Sequence, residues 1–212
     1  VPRALARARR ALAVLAAAPA DVELLSCEGQ MGADALLGLT LHADVLAPGA
    51  PVRGTGEDTR TAATMLADAG VDLLVFAGGD GTARDVLDAV SDRVPVLGIP
   101  SGVKMHSAVY AVSPEAAGEL LLVLARAGLV DVQPREVRDI DEEAFRKGVV
   151  KTRFYGELLT PEAGRFLQRT KVAGRESDEL VAAEIADDIV SSMEPGELYL
   201  IGPGSTTAAI ME

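Results

Sequence analysis

Residues 71–77 run VDLLVFA, apolar at all but one position, and then break into Gly78, Gly79, Asp80, Gly81 and Thr82. A helical spacing of small and apolar side chains follows over 83–90. A short apolar run bounded by glycine predicts a buried strand, and the change to a 3.6-residue period predicts a helix. The opening residues set Arg3, Arg7 and Arg10 at helical spacing beside an Ala- and Leu-rich face, which predicts an amphipathic helix with Pro2 in its first turn. Further strands are predicted at 22–26, 42–46 and 94–97, a short helix at 33–37 and a loop at 48–56. A helix at 57–69 carries acidic residues in its first turn, where the helix dipole favours them. A longer helix runs to Ala127, with Ser113 as cap and Pro114 in the first turn. Strands alternating with helices in this way predict an α/β fold, a doubly wound and mostly parallel sheet carrying the GGDGT loop.

Near residue 129 the texture changes. The stretches VDVQPREVRDI (130–140) and VVKTRFYGELL (149–159) are strand-like, with a short helical segment at 141–147 between them. An acidic helix at 176–193 precedes a strand at 197–201, a Gly-Pro-Gly-Ser-Thr loop at 202–206 and a final short helix. The pattern divides the chain into an α/β nucleotide-binding domain, 1–129, and a second, smaller β-rich domain, 130–212.

Composition narrows the function. Hydrophobic residues make up 49% of the 212, so a substantial core is possible. There is no Trp, with 4 Phe and 3 Tyr, so that core is built from Ala, Val, Leu and Ile, which suits helices on a parallel sheet. A net charge of −12 argues against a nucleic-acid partner and against an anionic membrane surface. It does not exclude a phosphate ligand, because local N–H groups, cations and Mg²⁺ set the field at a site. Cys27 is the single cysteine, so no internal disulfide forms and a cytoplasmic setting is expected. The apolar runs are too short or too interrupted to span a membrane.

The GGDGT stretch carries the chemistry. Glycines at a strand-to-helix junction can adopt positive φ and turn backbone N–H groups toward an anion, and the helix N-terminus adds donors and a favourable dipole. A phosphate fits such a place, and Asp80 among those glycines calls for a chemical role as base or as partner to a metal or hydroxyl. A second loop, Pro100 to Ser107, also follows a strand, and ligands of open α/β sheets sit beyond the strands' carboxyl ends. Ser101 and Gly102 offer donors there, Lys104 a cation and His106 a hydrogen bond to substrate. Thr55, at the start of the 57–69 helix, is either a helix cap or a phosphate contact. The 202–206 loop has the pattern of an anion site without an acid. Neither GxxxxGK[ST] nor GxGxxG occurs, so neither a Walker loop nor a Rossmann dehydrogenase is supported.

GGDGTARD (78–85) followed by GIPSGVKMHS (98–107) resembles the NAD kinase and diacylglycerol kinase superfamily, and in particular the ATP-NAD kinase-like proteins related to AcoX. The resemblance implies that Asp80 activates an acceptor hydroxyl while Gly78, Gly79, Gly81 and Thr82, with Thr55, hold nucleotide phosphate. It implies ATP, or another phosphoryl donor, with Mg²⁺ as cofactor and NAD as acceptor; small-molecule nucleotide partners and a homo-oligomer are expected. Ser101, Gly102, Lys104 and His106 fall on the substrate side. In the family an earlier strand carries an Asn-Pro motif, so the first domain is expected to lack its first strand, and the second to be incomplete at its carboxyl end. GVKMHS departs from NAD kinases proper, and Arg84-Asp85 stands where the lipid kinases carry Asn-Glu. A nucleoside, sugar, polyol or lipid headgroup therefore stays open as acceptor, as does a non-catalytic nucleotide-binding regulator.

Overall fold

The computed structural model describes residues 3–47, 53–102, 105–127, 131–140, 152–162, 167, 185–186, 189–194, 196–202 and 205–211. The chain forms two compact units, Val1–Thr170 and Lys171–Glu212. In the first, α1 (Arg3–Ala16) leads to β1 (Leu25–Cys27), two 3₁₀ turns (Gly29–Met31 and Ala33–Leu36) and β2 (Asp44–Leu46). Then come α2 (Gly56–Asp68), β3 (Leu74–Gly78), α3 (Asp80–Val90), β4 (Val96–Pro100) and α4 (Pro114–Ala127). The unit closes with a long hairpin, β5 (Val132–Ile140) and β6 (Thr152–Pro161). The second unit contains α5 (Ser205–Met211).

The fold is mixed α/β. Among the described residues the strands pair as three two-stranded sheets: β1–β2 and β3–β4 are parallel, β5–β6 antiparallel. This is less than the continuous doubly wound sheet that the alternation predicts. β1 and β2 are three residues each, so their ladder is short.

β3 and β4 show why the apolar run is nearly unbroken. Successive side chains of a strand point to opposite faces. Leu74 and Phe76 pack with Ala63 of α2 and with Ala83, Val86 and Val90 of α3. Val75 and Ala77, with Leu97 and Ile99, pack instead against Ala11 of α1 and Ala117 and Leu120 of α4. Both faces are covered, as parallel strands require. The hairpin joins the first of these clusters through Val137 and Leu158, which are fully buried.

Four local differences from the sequence reading have physical causes. α3 begins at Asp80, ahead of the apolar spacing, because an acidic first residue is favoured at a helix N-terminus. β4 runs on to Pro100, so the Gly-Ile-Pro of the second motif is strand. Arg7 lies on the buried stripe of α1 with Ala11 and Leu15, its aliphatic stem serving as apolar surface. Residues 197–201 are not a strand: no described strand pairs with them, and Leu198 and Leu200 are 88% and 94% exposed. The helix predicted at 141–147, and most of that at 176–193, lie outside the described residues.

Candidate active site

The two motifs end neighbouring parallel strands. Gly78 pairs with Pro100, and the ladder extends one step further as the Ser101 N–H donates to the Gly78 carbonyl at 2.9 Å. Gly79 caps α3 and Asp80 is its first residue, so GGDGT is a strand end and a helix start. Of the first N–H groups of α3, that of Thr82 turns back to the Gly79 carbonyl at 2.8 Å. The earlier ones at such a helix start ordinarily lack an intrahelical partner, and the dipole is positive at that end.

The glycines are not there for positive φ. None of Gly78, Gly79 and Gly81 adopts it, and Gly79 is extended at φ −118°. Space is the reason at Gly78, where the Thr82 side chain lies in the place of a Cβ. A Gly79 Cβ would meet only the Gly102 Cα, at an ordinary 3.7 Å. Gly81 is exposed, with nothing within 4 Å of the Cβ position.

Asp80 is 9% exposed, and its carboxylate is clasped by the second motif. Oδ2 accepts the His106 N–H at 2.7 Å and Oδ1 the Ser107 N–H at 3.0 Å. Burial raises its pKa above the ordinary aspartate value, opposed by the hydrogen bonds from Ser107 and His106. His106 thus reaches the site through its backbone, while its imidazole is part-buried. Lys104 lies outside the described residues.

Two residues that the sequence reading passed over complete the junction. Tyr110, fully buried, donates its hydroxyl to the Gly79 carbonyl at 2.6 Å, and its ring occupies the space above Gly98. Burial holds that phenol well above its usual pKa, so it stays a donor. Ser107, 2% exposed, bonds through its hydroxyl to the backbone of Arg138 in β5. The only available signal was an aromatic in an aromatic-poor chain, and nothing marked the serine.

Thr55 sits at the N-terminus of α2, where its hydroxyl and the Asp58 carboxylate form a reciprocal capping box. Arg84 and Asp85 serve packing. Arg84 pairs with Asp139 at 2.9 Å and lies 4.1 Å from the Tyr155 ring centroid, tying α3 to the hairpin. Asp85 pairs with Arg60 and fills the space beside Gly56, tying α3 to α2. Cys27 is buried, its thiol pushed up by burial, as befits a core residue. In the 202–206 loop, residues 203–204 lie outside the described set, and the Thr207 hydroxyl donates to the Gly202 carbonyl.

A buried acid at a helix N-terminus, flanked by two glycine-bearing strand ends, meets an independent comparison. The ATP-NAD kinase N-terminal domain matches residues 2–128, more than half of the chain. The chain belongs to this family. It is accordingly a phosphotransferase of the NAD kinase type, for which ATP is the donor and an alcohol group the acceptor. No curated protein and no solved structure gives a significant match. No helix among the described residues is long and apolar enough to cross a membrane.

Mg²⁺, which the family implies, takes one or two carboxylates and otherwise phosphate and water oxygens. Among the described residues no three His, Cys, Asp or Glu side chains gather into a metal cage.

Proposed function

We propose that the protein transfers the γ-phosphoryl group of ATP to a hydroxyl of a small molecule, with NAD as acceptor, as a relative of the AcoX-type ATP-NAD kinases. The observation that carries this reading is Asp80, a buried carboxylate beside the N-terminus of α3, between the ends of β3 and β4. In the reaction the acceptor O–H bond breaks, its oxygen bonds to the γ-phosphorus, and the bond from phosphorus to the β-phosphate bridge breaks to release ADP. Catalysis of this kind rests on positioning and charge neutralisation. The backbone of Gly78, Gly79 and Gly81, with Thr82, would hold phosphate. The exposed, unencumbered Gly81 marks the place of closest approach. Ser101 and Gly102, the latter against Gly79, would serve the substrate side, with Lys104 supplying charge, His106 a bond to the acceptor and Thr55 a peripheral contact. Mg²⁺ bound to the phosphates would offset their charge. Asp80 accepts the acceptor proton, and its raised pKa brings it closer to neutrality, where a general base works best. We further propose that the two parallel strand pairs belong to one doubly wound arrangement and that the protein acts as a homo-oligomer.

One observation favours a second reading. Both Asp80 oxygens already accept a backbone N–H, so the carboxylate organises the second motif whether or not it takes a proton. A nucleotide-binding regulator would need only that. Asp80→Asn separates the two, followed by NADP formation from NAD and MgATP and by the thermal shift that ATP induces. A base at this position predicts a fall in kcat of about 10²–10⁴-fold with the thermal shift retained. Unchanged turnover would remove Asp80 from the chemistry. A wild type that ATP stabilises without any transfer to NAD or to other alcohols would establish the regulator instead.

A further inference from the structure

Ser107 plays no part in the proposed chemistry, yet it is almost wholly buried and all its polar groups but the carbonyl are committed. Its N–H donates to Asp80 Oδ1 at 3.0 Å. Its hydroxyl donates to the Arg138 carbonyl at 2.8 Å and accepts from the Arg138 N–H at 3.1 Å. One side chain thus satisfies both backbone groups of a β5 residue, and it does so where the hairpin register shifts between Val137 and Arg138. Such an irregularity takes backbone groups out of the ladder, and a buried polar group without a partner is costly. The Ser107 hydroxyl fills that gap. The attachment continues as the Ala108 N–H donates to the Glu136 carbonyl at 2.9 Å. On the other side of Asp80, Arg84 fixes α3 to Asp139, the next residue of β5. The hairpin therefore holds both the helix that carries Asp80 and the segment that donates to its carboxylate.

We propose that Ser107 is a positioning residue: by bonding to the Arg138 backbone it seats the His106 and Ser107 N–H groups on Asp80. The β5–β6 hairpin, beyond the matched residues 2–128, is then a working part of the site. The proposal takes from the functional reading only that Asp80 is central to it.

The test compares Ser107→Ala and the milder Ser107→Cys with Thr160→Val in the full chain. Thr160 is fully buried on β6, and its hydroxyl donates to the Gln133 carbonyl at 3.5 Å, further along β5 from Arg138, so its substitution loosens the hairpin away from the Ser107 attachment. Amide hydrogen exchange at residues 106 and 107 is measured beside Tm, kcat and KM. For Ser107→Ala, exchange at these two amides should quicken about tenfold and kcat fall about tenfold with KM little changed, the weight of one buried hydrogen bond. Ser107→Cys should fall between, and it carries the comparison should Ser107→Ala not fold. Thr160→Val should leave both readouts near wild type at a similar loss of Tm. Equal exchange and equal kcat in the Ser107 and Thr160 variants would make Ser107 merely structural and overturn the proposal. If the wild type transfers no phosphoryl group to any alcohol, the functional reading fails but exchange still decides: selective quickening at 106 and 107 sustains the positioning role, and its absence ends it.

Discussion

A Cβ at Gly98 would lie 2.6 Å from Tyr110 Cε1, and the Tyr110 ring is fully enclosed with its hydroxyl tied to Gly79. The ring has nowhere to retreat, so Gly98→Ala should destabilise by about 1–3 kcal/mol, the usual cost of overpacking. A denaturation midpoint equal to wild type would show that the ring yields. Gly81 presents the opposite case. It occupies the first turn of α3 without positive φ and with nothing within 4 Å of its Cβ position, so nothing among the described residues demands glycine. Gly81→Ala should raise stability by up to about 1 kcal/mol through helix propensity while weakening ATP binding. Tighter or unchanged ATP affinity in a titration would show that nucleotide does not approach there. The place of Asp80 at a strand-to-helix junction could be read from its neighbours in the sequence. Its clasp could not, because the donors lie 26 and 27 residues away.

At the scale of elements, α2 and α3 show how much a helix start decides. The Asp58 carboxylate is held below its ordinary pKa by the Thr55 N–H, the Thr55 hydroxyl and the Arg53 N–H. A lowered folded-state pKa contributes stability above the unfolded value, and that contribution is lost as pH falls through the folded value. Asp80, raised by burial, has the opposite sign: its contribution is greatest below the ordinary aspartate value and is lost as pH rises through the folded one. Thr55→Ala should cost about 1 kcal/mol at neutral pH, as a lost cap does, and this deficit should shrink toward acid. Urea melts from pH 7 down to pH 3 check this, and a deficit constant with pH would deny the capping box its electrostatic part. Capping was legible, since Thr-x-x-Asp stands in the sequence. That Asp85 would fill the space beside Gly56 was not, because the contact joins two helices.

Taken whole, the first unit is not closed by the residues that the family match covers. Val137 and Leu158, both beyond residue 128, are fully buried with Val86, Val90, Met105 and Tyr110. A chain ended at residue 128 should therefore expose the face of α3 and melt broadly, binding a hydrophobic dye. A cooperative melt matching the full chain would show that the hairpin is dispensable to the core. Strand-like residues beyond 129 were visible in the sequence, and the structure pairs them as an antiparallel hairpin. Their pattern carried no information about the surface on which the hairpin would lie.

Local pattern determined the strand–glycine–helix junction at 74–90, with its one acid at the start of α3, and the caps of α2 and α4, because each depends on residues within a few positions of one another. Tertiary structure alone decided that the second motif donates its backbone to Asp80, that Tyr110 and Ser107 fasten both motifs, and that Arg84 and Asp85 brace helices. Those contacts join residues 25 to 55 positions apart, a distance over which periodicity and propensity carry no register.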